Sequence, residues 1–195
     1  MEKRIVLASN NEHKIREFRQ MFSGYEILAL NDIGFYEDII EDGETFFDNS
    51  LIKAKTIRNY LLEKGLSAIV IADDSGLCVD ALNGQPGVYS ARYASEHDSK
   101  KNRQKLLQEM NGKEKRSAYF QCTLIKMEMD GTYKVFEGKT YGQILNEERG
   151  DTSFGYDAVF FSDDLQKSFG EATSEEKNAV SHRGRAIELL KIDLN

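Results

Sequence analysis

Proline is nearly absent from this 195-residue chain, and Pro86 is the only one. There is no Gly/Ser-rich linker, low-complexity tract or internal repeat either, so nothing marks a domain boundary. The length suits one sizeable core better than two independent domains, which predicts a single domain over 1–195. Cysteine is scarce too. Cys78 and Cys122 lie in apolar stretches without metal-ligand spacing and read as reduced, buried thiols. Long apolar runs are missing. The first one, Ile5-Val6-Leu7-Ala8, is four residues long, against roughly 7–15 for a secretory signal. No run approaches the ~20 residues that span a bilayer. These absences predict a cytoplasmic protein without membrane attachment. Positive charge is also short, with 26 Lys and Arg against 33 Asp and Glu and a net charge of −7. That argues against a nucleic-acid polymer as partner, because binding one requires many phosphates to be neutralised. A small phosphorylated ligand remains possible, since a few cations or backbone N–H groups suffice for it.

What is present reads as a globular α/β or mixed α+β chain, 40% hydrophobic and 30% charged. Ile5–Ala8 reads as a strand, followed by a Ser9-Asn10-Asn11 turn and a helix carrying Ile15, Phe18, Met21 and Phe22 at helical spacing. A second strand is expected over 25–30. A long helix is expected from about Thr45 to Glu63, burying Phe47, Leu51, Ala54 and Leu61. Ala68-Ile69-Val70-Ile71-Ala72 is the strongest strand pattern and is expected to end at Asp73-Asp74-Ser75-Gly76. A charged helix over 98–110 follows. Then comes a hairpin of 117–129 with 132–137, turning on Asp130-Gly131 as a type I′ turn. A strand at 159–161 and a last helical pattern over 179–191 complete the chain.

Four polar clusters stand at the ends of these elements. The first, Ser9-Asn10-Asn11-Glu12-His13-Lys14, lies at a strand-to-helix turn. It is either an anion site at the positive end of a helix, or a capped helix with a solvated lysine. It is no glycine-rich P-loop. The second is the acidic run Glu37-Asp38…Glu41-Asp42-Gly43-Glu44, either a solvated loop or a source of a carboxylate for Mg²⁺. The third, Asp73-Asp74, follows the most apolar strand. Ligand sites in α/β sheets gather at such ends, although an Asx turn has the same composition. Neighbouring strand residues point to opposite faces, so the two carboxylates are expected to divide site and structural duties. The fourth joins Phe154-Gly155-Tyr156-Asp157 with Lys177 and Ser181-His182-Arg183-Gly184. Thr173 and Glu176 have capping-box spacing. On one straight helix Lys177 and His182 would stand about 140° apart. A break near 178–181, with Ser181 capping a second helix from His182, would bring Lys177, His182 and Arg183 towards one site.

Taken in order, these residues carry a resemblance. The chain resembles the inosine triphosphate pyrophosphatase family, also described as dITP/XTP pyrophosphatases, nearly end to end. The matching segments are Ala8–Lys14, Thr45-Phe46-Phe47-Asp48-Asn49, Ala72–Leu77, Gly87–Tyr93, Phe154–Asp157 and Glu175–Gly184. The resemblance implies a long, curved mixed β-sheet flanked by helices, in two lobes with the nucleotide in the cleft between them. It also implies a homodimer and Mg²⁺-dependent hydrolysis of ITP, dITP and XTP to the monophosphate and pyrophosphate. Mn²⁺, another acceptor of oxygen ligands, is an alternative metal. Ser9, Asn11 and Lys14 fall on the family's phosphate-binding turn. Asp74 falls on the catalytic, metal-binding carboxylate and Ser75 on a substrate-binding position. Glu41 is the candidate second metal carboxylate, and Asp73 takes a supporting role, fixing the turn or a metal-bound water. Phe154, Gly155, Tyr156, Asp157, Lys177, His182 and Arg183 fall on nucleotide-binding positions, with Phe154 expected to stack on the purine. Three residues depart from the family's usual pattern: Ser153 and Ala158 stand where Gly and Pro are common, and Asp48 where Glu is usual. A Maf-like pyrophosphatase would carry Ser-x-Ser-Pro-Arg-Arg at the N-terminal turn, which this chain lacks. A nucleotide sensor without turnover could dispense with Glu41, Asp73 and Asp74, which are all present.

Overall fold

The computed structural model describes residues 4–22 and 24–194; residues 1–3, at the start of the stretch read for a signal, lie outside them. Seven strands form one mixed sheet in the order β2-β1-β3-β4-β5-β6-β7. The α/β expectation holds, with parallel pairs β1–β2 and β1–β3 and antiparallel pairs β5–β6 and β6–β7. The strands are β1 (Arg4–Leu7), β2 (Glu26–Leu28), β3 (Ile69–Val79), β4 (Ser117–Met127), β5 (Tyr133–Ile144), β6 (Phe160–Ser162) and β7 (Lys167–Ser168). The helices are α1 (Glu12–Met21), α2 (Phe46–Glu63), α3 (Ser99–Glu109), α4 (Ser174–Val180) and α5 (His182–Leu194).

The chain divides into two compact units. The first is Met1–Asp74, Thr123–Glu137 and Ala186–Asn195; the second is Ser75–Cys122 and Gly138–Arg185. In the first, the apolar stripe of α2 (Ala54, Ile57, Leu61) packs with Val6, Val70, Ala72 and Ile125, and Ser50 Oγ fixes the helix by donating to the Thr123 carbonyl at 2.9 Å. In the second, Leu77, Leu106, Met110, Phe120, Phe160 and Phe169 form the core. Cys78 and Cys122 are buried and unbridged, as expected.

Several local expectations need correction. β3 does not end at Asp73; it continues through Asp74, Ser75 and Gly76 to Val79. Buried carboxylates did not stop the strand because each finds charged or hydrogen-bonding partners. The buried face of α2 is rotated from the predicted one. It includes Phe46, Asn49 and Lys53, while Phe47 and Leu51 are only partly covered. β5 runs past Glu137 to Ile144. The hairpin turn is not type I′: Gly131 N donates to the Glu128 carbonyl and Glu128 N to Thr132. This is a three-residue loop in which Gly131, at φ 90°, supplies the left-handed step. The departure at Asp48 is accommodated. Its carboxylate accepts from Thr45 N (3.1 Å) while its own N–H donates to Thr45 Oγ1 (3.1 Å), a complete capping box at the start of α2.

Candidate active site

In the first unit, three elements carry a polar cluster. The Ser9–Asn11 turn starts α1, and Asn11 Oδ1 accepts the N–H groups of His13 (3.0 Å) and Lys14 (3.2 Å). Ser9 Oγ accepts the Asn11 N–H at 3.1 Å. The helix is therefore capped as the plainer reading expected, but Lys14 is not a solvated lysine. Its ammonium forms an ion pair with the Asp73 carboxylate, whose side chain is fully buried. Asp73 fixes no turn, since β3 continues there; within this structure it is the counter-ion of Lys14.

Asp74, the next residue of β3, is approached from α2 and the 34–45 loop. Asn49 Nδ2 donates to Asp74 Oδ2 at 3.0 Å. Lys53 Nζ lies 3.9 Å from Asp74 Oδ1 and donates to Glu41 Oε2 at 2.8 Å. One ammonium thus faces both candidate metal carboxylates. Burial lifts Asp74 above the ordinary carboxylate value of 3.8, and Glu41 adds to the rise; Lys53, Lys14 and the Asn49 hydrogen bond oppose it. Neighbouring strand residues turn to different elements here: Asp73 pairs with α1 and Asp74 with α2.

The second unit holds the remaining candidates. The break after α4 falls where the spacing required it. Ser181 is extended (φ −67°, ψ 156°) and its Oγ accepts the Gly184 N–H at 3.0 Å, starting α5. The Thr173–Glu176 capping box starts α4. Arg183 is buried and donates from Nη2 to Ser75 Oγ at 3.0 Å. His182 stacks on Phe120, with centroids 4.9 Å apart and planes 14° apart. Lys177 Nζ donates to Asp157 Oδ2 at 2.5 Å and lies 4.9 Å from the Phe154 ring centroid and 5.9 Å from that of Phe169. The other two residues of the Phe-Gly-Tyr-Asp loop use groups internally. The Gly155 carbonyl accepts from Arg103 Nη1 at 2.8 Å, and the Tyr156 hydroxyl donates to the Ser90 carbonyl at 2.8 Å. Burial pushes that hydroxyl's pKa up.

Asn49, Lys53 and Arg103 were missed by the sequence reading. All three are buried polar residues on helices. A lysine on the stripe with Ala54, Ile57 and Leu61 was the signal available for Lys53.

The chain matches the Ham1 family over residues 5–192. It is 50% identical to a dITP/XTP pyrophosphatase of Clostridium perfringens, covering 98% of this chain and 97% of that one. It is 45% identical to a dITP/XTP pyrophosphatase of Bacillus anthracis, over 97% of this chain and 95% of the relative. Among solved structures, the Ham1 protein of Staphylococcus aureus superposes with a TM-score of 0.87 at 39% identity over 98% of both chains. A Ham1 protein from Coxiella burnetii gives 0.86 at 36%, again over 98% of both.

Proposed function

The chain belongs to the Ham1 family, and from that premise we propose that it hydrolyses dITP, ITP and XTP to the nucleoside monophosphate and pyrophosphate, clearing deaminated purine nucleotides from the pool. The observation that carries the chemistry is Asp74: a buried carboxylate with a raised proton affinity, beside Lys53 and near Glu41. A carboxylate tuned upward is a better base near neutral pH than an exposed one. Asp74 orients and deprotonates the water that attacks the α-phosphorus, breaking the bond to the bridging oxygen so that pyrophosphate leaves. Lys14 and Lys53 hold the triphosphate by charge and position, with Ser9 and Asn11 lining the turn before α1.

The donor set suits Mg²⁺. Among the described residues no group of three His, Cys, Asp or Glu side chains is placed to cage a metal. Mg²⁺ binds through one or two carboxylates completed by water and substrate phosphates. Asp74 and Glu41 would hold it, and Mn²⁺ accepts the same oxygen donors. When bound, it neutralises charge on the phosphates.

In the second unit, Phe154 offers a face for the purine with the Lys177–Asp157 pair beside it, and His182 and Arg183 are the candidates for further polar contacts to the base. A 6-keto purine satisfies donors at O6 that a 6-amino purine leaves unpaired. Each unpaired buried donor costs ~1–3 kcal/mol, so two such mismatches give roughly 10²–10⁴-fold discrimination. A cytoplasmic homodimer is part of the same proposal. No helix among the described residues is long and apolar enough to cross a membrane. The test is pyrophosphate release from dITP, XTP, dATP, dGTP and dTTP, with Mg²⁺ and with excess EDTA. Metal-dependent release confined to dITP and XTP is expected; equal turnover of dTTP would sink the proposal.

A further inference from the structure

Asn49 is 1% exposed, and both ends of its carboxamide are in use. Nδ2 donates to Asp74 Oδ2 at 3.0 Å, and Oδ1 accepts the backbone N–H of Gly43 at 2.9 Å. The second bond fixes the 34–45 loop two residues beyond Glu41. Lys53, one turn along α2 and on the same face, reaches that loop through Glu41 at 2.8 Å. Between Gly34 and Thr45 the loop forms no helix or strand, so these side chains supply hydrogen bonds that its backbone does not make for itself. The approach is tight. A Cβ at Gly43 would lie 2.6 Å from Asp48 Cβ and 2.7 Å from Asn49 Oδ1. Only a side chain that is donor and acceptor at once can serve a carboxylate and a backbone N–H together. Aspartate lacks the donor, and an apolar isostere lacks both.

We propose that Asn49 is a positioning residue of this site, setting the Asp74 carboxylate and the Glu41-bearing loop in one fixed arrangement. The proposal rests on the catalytic reading of Asp74. It accounts for an uncharged polar side chain on the buried stripe of α2, where packing alone favours an apolar one.

Asn49→Ala and Asn49→Asp, compared with the unaltered chain, test it through dITP kinetics, amide exchange at Gly43 and thermal unfolding. Asn49→Ala should lower kcat by at least ~10-fold while KM moves less than about threefold. Its Gly43 amide should exchange at least ~10-fold faster, with the amides of β1 and β3 still protected. Asn49→Asp keeps the acceptor and loses the donor, so it should regain Gly43 protection but not kcat. A merely structural role would instead raise exchange throughout the unit. An Asn49→Ala chain with kcat within about twofold of the unaltered one, or with unchanged Gly43 exchange, overturns the proposal. Should that variant not fold, Gly43→Ala displaces the loop with Asn49 intact: a similar kcat loss supports the proposal, and an unchanged kcat overturns it. Absence of any turnover by the unaltered chain would defeat the functional reading instead, while exchange at Gly43 would still report on Asn49.

Discussion

Lys14 on α1 and Asp73 on β3 form an ion pair in which the carboxylate is fully buried and the lysine side chain keeps 17% exposure. The lysine assigned to the triphosphate is thus already held by a protein anion, one residue from Asp74. Removing one partner of a fully buried pair costs roughly 3–5 kcal/mol, and less here because water reaches Lys14. Asp73→Asn is therefore expected to unfold at a lower temperature than the unaltered chain without ligand. Added pyrophosphate should stabilise the variant more than the unaltered chain, since it meets an ammonium that has lost the Asp73 counter-charge. Equal ligand-induced shifts in differential scanning fluorimetry would count against Lys14 as a phosphate contact.

Asp74 gives a prediction in which stability and function oppose each other. Its pKa is raised in the folded chain, so between 3.8 and the folded value the native state binds more protons than the unfolded one. Stability contributed by this group therefore falls as pH rises through that window, and above it the ionised carboxylate is a net cost. Asp74→Asn should unfold at a higher temperature than the unaltered chain at pH 7 in metal-free buffer. The gap should close as pH drops towards 3.8. Its turnover of dITP should fall below about a tenth of the unaltered rate. Lower stability at pH 7 would contradict the direction of the shift.

The break between α4 and α5 falls at Ser181, which is buried. Ser181→Ala removes the acceptor for Gly184 N–H, a capping loss of roughly 0.5–2 kcal/mol. For a chain of this size that corresponds to a fall in Tm of about 2–4 °C per kcal/mol. Because His182 and Arg183 are the first residues of α5, KM for dITP should rise as well. A Tm loss with unchanged KM would separate helix capping from substrate binding.

Arg183 is the specificity candidate with a defined partner, Ser75. Arg183→Met removes its donors while retaining much of its bulk. It should reduce the dITP-to-dATP ratio of kcat/KM by at least ~10-fold. A ratio within about twofold of the original would move O6 recognition to His182 or a backbone N–H.

Much of this was legible in the sequence for identifiable physical reasons. The break at Ser181 followed from helical geometry, which forbids Lys177 and His182 on one face, together with a capping residue at the right place. That Asp73 and Asp74 take partners from different helices followed from strand alternation. What was not legible depended on tertiary partners. β3 was expected to stop at its carboxylates because local composition reports their polarity but not Lys14, Asn49 and Lys53, which satisfy them from other elements. Lys53 and Asn49 themselves sat on an apolar stripe that the pattern placed about a third of a turn away, around Phe47 and Leu51.

The central claim is attack of water on the α-phosphorus of a deaminated purine triphosphate. Its most direct test is turnover of dITP in ¹⁸O-labelled water, with the products separated and weighed. The account predicts dIMP and pyrophosphate, with the label in dIMP. Formation of dIDP and inorganic phosphate, or label in the pyrophosphate, would contradict it.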